Sequence, residues 1–185
     1  MNHYPVTLHH IFISPGHNYF GRPKDGVGPH PTQDVDTAQV IAGKGLVGDR
    51  YFGVAAHYNA QITFIAAEVF DALRIQLGMT GISPFLTRRN VVISGVPLNQ
   101  LIGQEFAIMF ADEGVRFRGA KQCSPCAWMD TAIAPGAQKF LRGRGGLRVQ
   151  AISDGVLRRG DATLRCATAL NLTTFLEPIA LPRLP

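Results

Sequence analysis

Two cysteines three positions apart, Cys123 and Cys126, stand in the segment Gly119-Ala-Lys-Gln-Cys-Ser-Pro-Cys126. A thiolate is the form of cysteine that attacks electrophiles or ligates soft metals, and cations beside a thiol favour that form. Lys121 and the arginines downstream are placed in sequence to supply such a field. Cys126, Cys123 and Lys121 are therefore the candidate catalytic group, with Cys126 the candidate metal ligand. Other uses of a Cys-x-x-Cys pair fit less well. Structural zinc takes four ligands, the third cysteine, Cys166, stands alone in a predicted strand, and all six histidines lie at or before His57 without paired spacing. A thioredoxin-type redox pair needs a strand-to-helix step in a parallel sheet, which the pattern does not predict. Two partly buried thiols in a turn is the plain alternative.

Three other segments join a flexible backbone to cations: Gly45-Leu-Val-Gly48-Asp49-Arg50, Arg88-Arg89-Asn90 and Arg142-Gly-Arg144-Gly-Gly146. Backbone amides in glycine turns and bidentate guanidinium forks suit phosphate recognition. Asp49, Arg50, Arg88, Arg89, Asn90, Arg142 and Arg144 are thus candidate cofactor-binding residues. Asp49 and Arg50 serve equally well as an ion pair that fixes their own turn. Neither Ile93-Ser94-Gly95 nor Gln122-Cys-Ser-Pro reads as the nucleophile elbow of a serine hydrolase. A Walker loop and a dinucleotide fingerprint are both absent.

The elements that must position these residues are short. A first strand is predicted around Val6–Ser14, then a long loop over 15–37, whose length in a compact domain points to function or mobility. Ala38–Ala42 reads as a strand ending in the glycine turn. Gln61–Ile65 reads as a strand leading into the clearest helix, Ala66–Leu77, where Val69, Phe70, Leu73 and Leu77 share a face and Gly78 stops the run. Further strands are predicted at Val91–Ser94, Glu105–Phe110 and Val115–Gly119, with a helical turn at Pro97–Leu101. Pro135 suits the first position of a helix to about Leu141. Leu147–Ser153 and Ala162–Cys166 read as a closing hairpin around Asp154-Gly155. The tail over 170–185 is expected to pack on the outside.

Many short strands with 20 glycines and 12 prolines in 185 residues favour a barrel or sandwich over a helical bundle. The expected organisation is one domain over 1–185, with a core at about 38–165. The net charge of +5 is spread over small arginine groups, which suits a modest anionic ligand better than a nucleic acid. No run reaches the roughly 20 apolar residues of a membrane helix, and the first residues lack the form of a signal peptide. Three cysteines argue against a disulfide scaffold, so a reducing, cytoplasmic location is expected. Oligomeric state is not readable from the pattern.

Taken in order, several segments resemble the MOSC domain, named for the C-terminal domain of molybdenum cofactor sulfurase. They are Gly45-Leu-Val-Gly-Asp-Arg-Tyr-Phe-Gly53, Arg88-Arg-Asn-Val-Val-Ile-Ser-Gly95 with Leu98 and Leu101-Ile-Gly103, Cys123-Ser-Pro-Cys126, Arg142-Gly-Arg-Gly-Gly-Leu-Arg148 and Gly155-Val-Leu-Arg-Arg-Gly-Asp161. The resemblance implies a mostly β fold, a β-barrel of the MOSC and pyruvate kinase type with two or three short helices. It maps the family's cysteine onto Cys126. In relatives such as the mitochondrial amidoxime-reducing component that cysteine ligates molybdenum, which implies the molybdenum cofactor (molybdopterin) and reduction of an N-hydroxylated small-molecule substrate. The domain of cofactor sulfurases implies instead a persulfide carrier, and a non-catalytic cofactor-binding module is a third possibility. The family also carries an association with pyridoxal phosphate. Many members have histidine where this chain has Tyr51, so that residue's role does not carry over. Without cysteines for an iron–sulfur cluster, electrons would come from a separate donor protein.

Overall fold

A computed structural model describes residues 1–179 as a closed barrel of seven strands with three short helices on its outside. The strands are β1 (Asn2–Ile13), β2 (Gln33–Asp34), β3 (Thr37–Ile41), β4 (Gly45–Leu46), β5 (Ile62–Ala66), β6 (Val91–Ser94), β7 (Glu105–Phe110), β8 (Glu113–Gln122), β9 (Leu147–Ala151), β10 (Gly155–Arg158) and β11 (Gly160–Cys166). The helices are α1 (Ala67–Leu77), α2 (Trp128–Ala132) and α3 (Ala137–Leu141). Around the barrel the order is β1, β11, β7, β8, β9, β5, β6 and back to β1. Of these neighbours only β5 and β6 run parallel, joined by the one crossover that carries α1. Closure removes the edges that an open sheet would expose. The mostly β barrel expected from the sequence is what forms.

The barrel is filled by alternate side chains of its strands. Phe64, Phe106 and Phe117 meet at its centre with ring centroids 5.5–6.3 Å apart. Ile62, Ile108, Val115, Leu147, Val149 and Leu164 are buried around them. Helix α1 buries Val69, Phe70 and Leu73 on one face and ends at a left-handed Gly78, where the Met79 and Gly78 amides close on Arg74 and Ile75 carbonyls.

Several expectations are corrected. β9 and β11 do not form a hairpin: β9 lies between β8 and β5, and β11 between β1 and β7. The intervening β10 leaves the barrel to pair with β3 in a small second sheet. The third helix starts at Ala137 behind a left-handed Gly136, so Pro135 precedes it rather than opening it. Lys121 belongs to an extended β8, not to a loop. Helix α2, which the pattern did not predict, begins two residues after Cys126. The cysteine pair therefore does sit between a strand and a helix, but β8 is antiparallel to both its neighbours. Asn171–Ile179 packs outside the barrel, bonded to Asn99, Gln100 and Gly143; the remainder of the predicted tail, 180–185, lies outside the described residues.

Candidate functional site

The cysteine loop is held from beneath by a glycine pair. Cys123 donates its amide to Gly146 at 2.8 Å, and a Cβ on Gly145 would stand 2.0 Å from the Cys123 carbonyl oxygen. A Cβ on Gly146 would likewise meet Phe64 O at 2.0 Å, at a φ of +101°. Only glycine admits this approach of three backbones. Arg89 reinforces it by donating Nε to Gly145 O at 2.7 Å. Cys123 is fully buried in this seat, whereas Cys126, three residues on, is exposed. Of the two thiols in the loop, only that of Cys126 is open to solvent.

A bulge in β8 decides where Lys121 points. Pairing with β9 shifts between Gly119 and Lys121, which sets Lys121 directly opposite Arg148, whose other neighbour is Thr63 on β5. Leu147 and Val149 on either side are buried in the barrel, so Arg148 and Lys121 share its outer face. Beside them, Arg50 lies over the Tyr51 ring at 4.7 Å, and Tyr51 meets His57 with centroids 4.3 Å apart. His17 contacts the other edge of Tyr51 at 6.1 Å. Arg88 lies 5.6 Å from the Tyr19 ring, which stacks on Trp128 two positions after Cys126.

The electrostatics join these groups into one arc. Burial pushes the His57 pKa down, and the charges of Arg148, Arg50 and Lys121 push it further. His17 is lowered by burial, then by Arg50, Arg88 and His57, against an opposing pull from Asp49. Burial raises the Tyr19 hydroxyl; Arg88 opposes that rise and the Cys126 thiol adds to it. Arg88 is itself lowered by burial and by Arg50. These couplings place four cations, Lys121, Arg148, Arg50 and Arg88, in one neighbourhood with the neutral rings of His57 and Tyr19 between them and the exposed Cys126 beside Tyr19.

The predicted binding residues do not all come together. Arg50 and Arg88 line the arc. Asp49 and Asn90 support it from below: Asp49 accepts from Arg50 Nη1 at 3.2 Å, Asn90 Nδ2 at 3.1 Å and the Ser14 amide at 3.3 Å. The Asn90 amide is spent on Asp49, Phe12 O and the Thr63 amide and hydroxyl. Arg144 is spent elsewhere, with Nε on Leu176 O at 2.6 Å and Nη1 on Phe140 O at 2.9 Å. Arg142 is exposed on the turn after α3. Sequence reasoning did not select Arg148, His57, His17, Tyr19 or Trp128. Only Arg148 carried a signal, its place in the Arg142–Arg148 segment; the histidines and aromatics show no spacing because three separate loops bring them together.

Among the described residues there is no group of three metal-binding side chains, and no helix is long and apolar enough to cross a membrane. A metal here would rest on Cys126 and on donors that its own cofactor brings. The donor chemistry fits such a group: a soft thiol, hard cations in the same neighbourhood, and a buried Arg50 Nε with no partner among the described residues.

Solved structures with this fold include the YUAD protein from Bacillus subtilis (TM-score 0.71, 16% identity, covering 91% of this chain and 99% of that one). YiiM from Geobacillus stearothermophilus matches with a TM-score of 0.59 and 13% identity over 88% of this chain and 75% of that one. YiiM from Escherichia coli matches at 0.57 and 14%, over 95% and 76%. No curated protein matches in sequence. The family model described as the MOSC domain matches residues 33–163, which span β2 to β11 and include the cysteine loop. The chain belongs to the MOSC domain family.

Proposed function

We propose that this chain binds a molybdenum cofactor along the cationic arc, with Cys126 as the protein ligand to the metal, and reduces N-hydroxylated small molecules. The observation that carries the reading is the exposed Cys126, two positions before Trp128, which stacks on Tyr19 under the guanidinium of Arg88, to whose carbonyl Arg50 donates. The bound cofactor would supply the two-electron redox chemistry. The chain's own residues bind and orient. Lys121, Arg148, His57 and Arg50 form the end suited to a phosphate, and Arg50 Nε is a donor awaiting an acceptor there. Asp49, held by four donors, fixes Arg50 in place. Arg88 ties the 14–32 loop over the thiol end, donating to Thr32 Oγ1 at 2.7 Å and Gly16 O at 2.9 Å. Cys123 seats the loop without reaching solvent. Electrons would come from a separate donor protein.

The exposure of Cys126 also favours a second reading, a persulfide carried on that sulfur. Buried Cys123 is poorly placed to resolve it from solvent.

The test is elemental analysis for molybdenum on protein made in a cofactor-competent host, beside Cys126→Ala. Near-stoichiometric molybdenum in the parent and none in the variant is expected, followed by turnover of a hydroxylamine or amidoxime. Cofactor bound without any turnover would make the chain a carrier of the cofactor. No molybdenum in either protein, with cofactor supply confirmed, sinks the metal reading; cyanide-labile sulfur lost in Cys126→Ala would then establish the persulfide.

A further inference from the structure

Beside Tyr19, and sharing Arg88 with the arginine arc, lies a cavity of about 230 Å³ between the 18–32 loop, the turn before Arg88 and the end of α2. Its apolar wall is Tyr19, Val27, Phe85, Leu86 and Ala132, and Arg88 is the one charged residue that lines it. Three features mark it as built for a ligand rather than left by loose packing. Two of its other polar walls are already satisfied, since Asn18 bonds both the amide and the carbonyl of His30 and Thr32 accepts from Arg88, and the remaining one, Thr131, is exposed. Val27 and Phe85 remain 57% and 41% exposed at its mouth, an arrangement that a bound apolar group would relieve. Arg88 is held at a left-handed φ of +57°, a conformation costly for an arginine, with its guanidinium fixed by Thr32, Ser14 and Gly16.

Size and polarity select the ligand. An apolar cavity of about 150 Å³ is enough to take up benzene, so this one holds an aromatic ring with a small substituent. A guanidinium at its edge pairs best with a carboxylate or similar anionic oxygen. We propose that the cavity is a binding subsite for a small aromatic acid, its ring among Tyr19, Phe85 and Ala132 and its anionic oxygen on Arg88. The subsite rests on cavity geometry and not on the cofactor assigned to the arc. Tyr19 and Arg88 belong to both places, so a ligand seated here lies beside the Cys126 loop.

The chain carries its own reporter. Trp128, the sole tryptophan, stacks on Tyr19 at 5.2 Å and 13°. Benzoate is the probe, with acetate and benzyl alcohol as its two halves, read by Trp128 fluorescence and by equilibrium dialysis. Saturable benzoate binding is expected by dialysis, with acetate and benzyl alcohol each at least about tenfold weaker. Ala132→Leu, which fills the cavity from a half-exposed helix position, is expected to weaken benzoate at least about tenfold while leaving pyrophosphate binding on the arc unchanged. Absence of saturable benzoate binding overturns the proposal. So does acetate binding as tightly as benzoate, which would reduce the site to the charge of Arg88. Equal benzoate affinity in Ala132→Leu also overturns it. Loss of pyrophosphate binding with benzoate retained would count against the cofactor reading alone.

Discussion

Gly48-Asp49-Arg50 and Arg142-Gly143-Arg144 look alike in sequence, yet the protein uses their arginines in opposite ways. Arg144 gives its donors to the carbonyls of Leu176 and Phe140 and covers the Phe140 ring, so it fastens the 171–179 segment to the barrel. Arg50 makes one bond to Asp49 and one to Arg88 O, covers Tyr51, and keeps Nε buried without a partner among the described residues. The first arginine gives its recorded bonds to carbonyls of the chain; the second keeps one donor that an outside acceptor would take if the proposed reading holds. The glycine–arginine pattern alone does not say where a guanidinium's donors go. Asp49 and Asn90 make the same point from below, since both sit within a binding motif and both spend their polar atoms on the protein.

The largest effect that this contrast predicts falls on Asn90. Its side chain is 1% exposed and bonds Asp49, Phe12 O and Thr63. Asn90→Ala takes one of four donors from buried Asp49 and removes the side-chain partner of Phe12 O and of the Thr63 amide and hydroxyl, and is expected to cost about 3–5 kcal/mol in urea unfolding. A loss under about 1 kcal/mol would return Asn90 to the binding set.

What was legible in the sequence follows the same division. Strand and helix positions came from local patterns: Ile62–Ala66 is a continuous buried run, and Val69, Phe70 and Leu73 recur at helical spacing before Gly78. Barrel closure was not local. β11 finds β1 at the far end of the chain, and β10 turns away to β3, so the adjacent strands β9 and β11 never pair. Helix α2 has five residues, too few to show a period. Among the candidate site residues, Cys126, Arg50 and Arg88 drew notice in the sequence because glycine and proline mark their turns. His57 and Arg148 were not, because a bulge in β8 and the Tyr51 ring bring them into place.

A second comparison sets Arg148→Ala against Arg144→Ala, with pyrophosphate as the probe. Removing Arg148 takes one cation from the phosphate end of the arc and is expected to weaken pyrophosphate about tenfold, which is about 1.4 kcal/mol. The change should leave unfolding within about 0.5 kcal/mol, the range of an ordinary surface substitution. Arg144→Ala should do the reverse: unchanged pyrophosphate affinity by calorimetry, and faster proteolysis within 171–179 as two carbonyl bonds are lost. Equal weakening by both substitutions would mean that pyrophosphate reads net charge alone.

The smallest effect concerns protons. His57 and His17 are both held below the ordinary imidazole pKa of 6.5, first by burial and then by the arginines around them. A group whose pKa is depressed on folding contributes stability that is present above its unfolded pKa, and that stability is lost as pH falls through the folded value. The melting temperature is therefore expected to decline below about pH 6.5, and His57→Gln should flatten the decline. An anion beside His57 offsets the charges of Arg148, Arg50 and Lys121 and so raises the imidazole pKa again. Binding of pyrophosphate near pH 6 should then take up protons, measured by calorimetry in buffers of different ionisation enthalpy. Arg144 faces neither histidine, so Arg144→Ala should keep the full uptake, while His57→Gln should lose most of it. Uptake that survives in His57→Gln would shift the response along the arc to His17, beside Arg50 and Arg88, and would place the anion nearer to Cys126 than to Lys121.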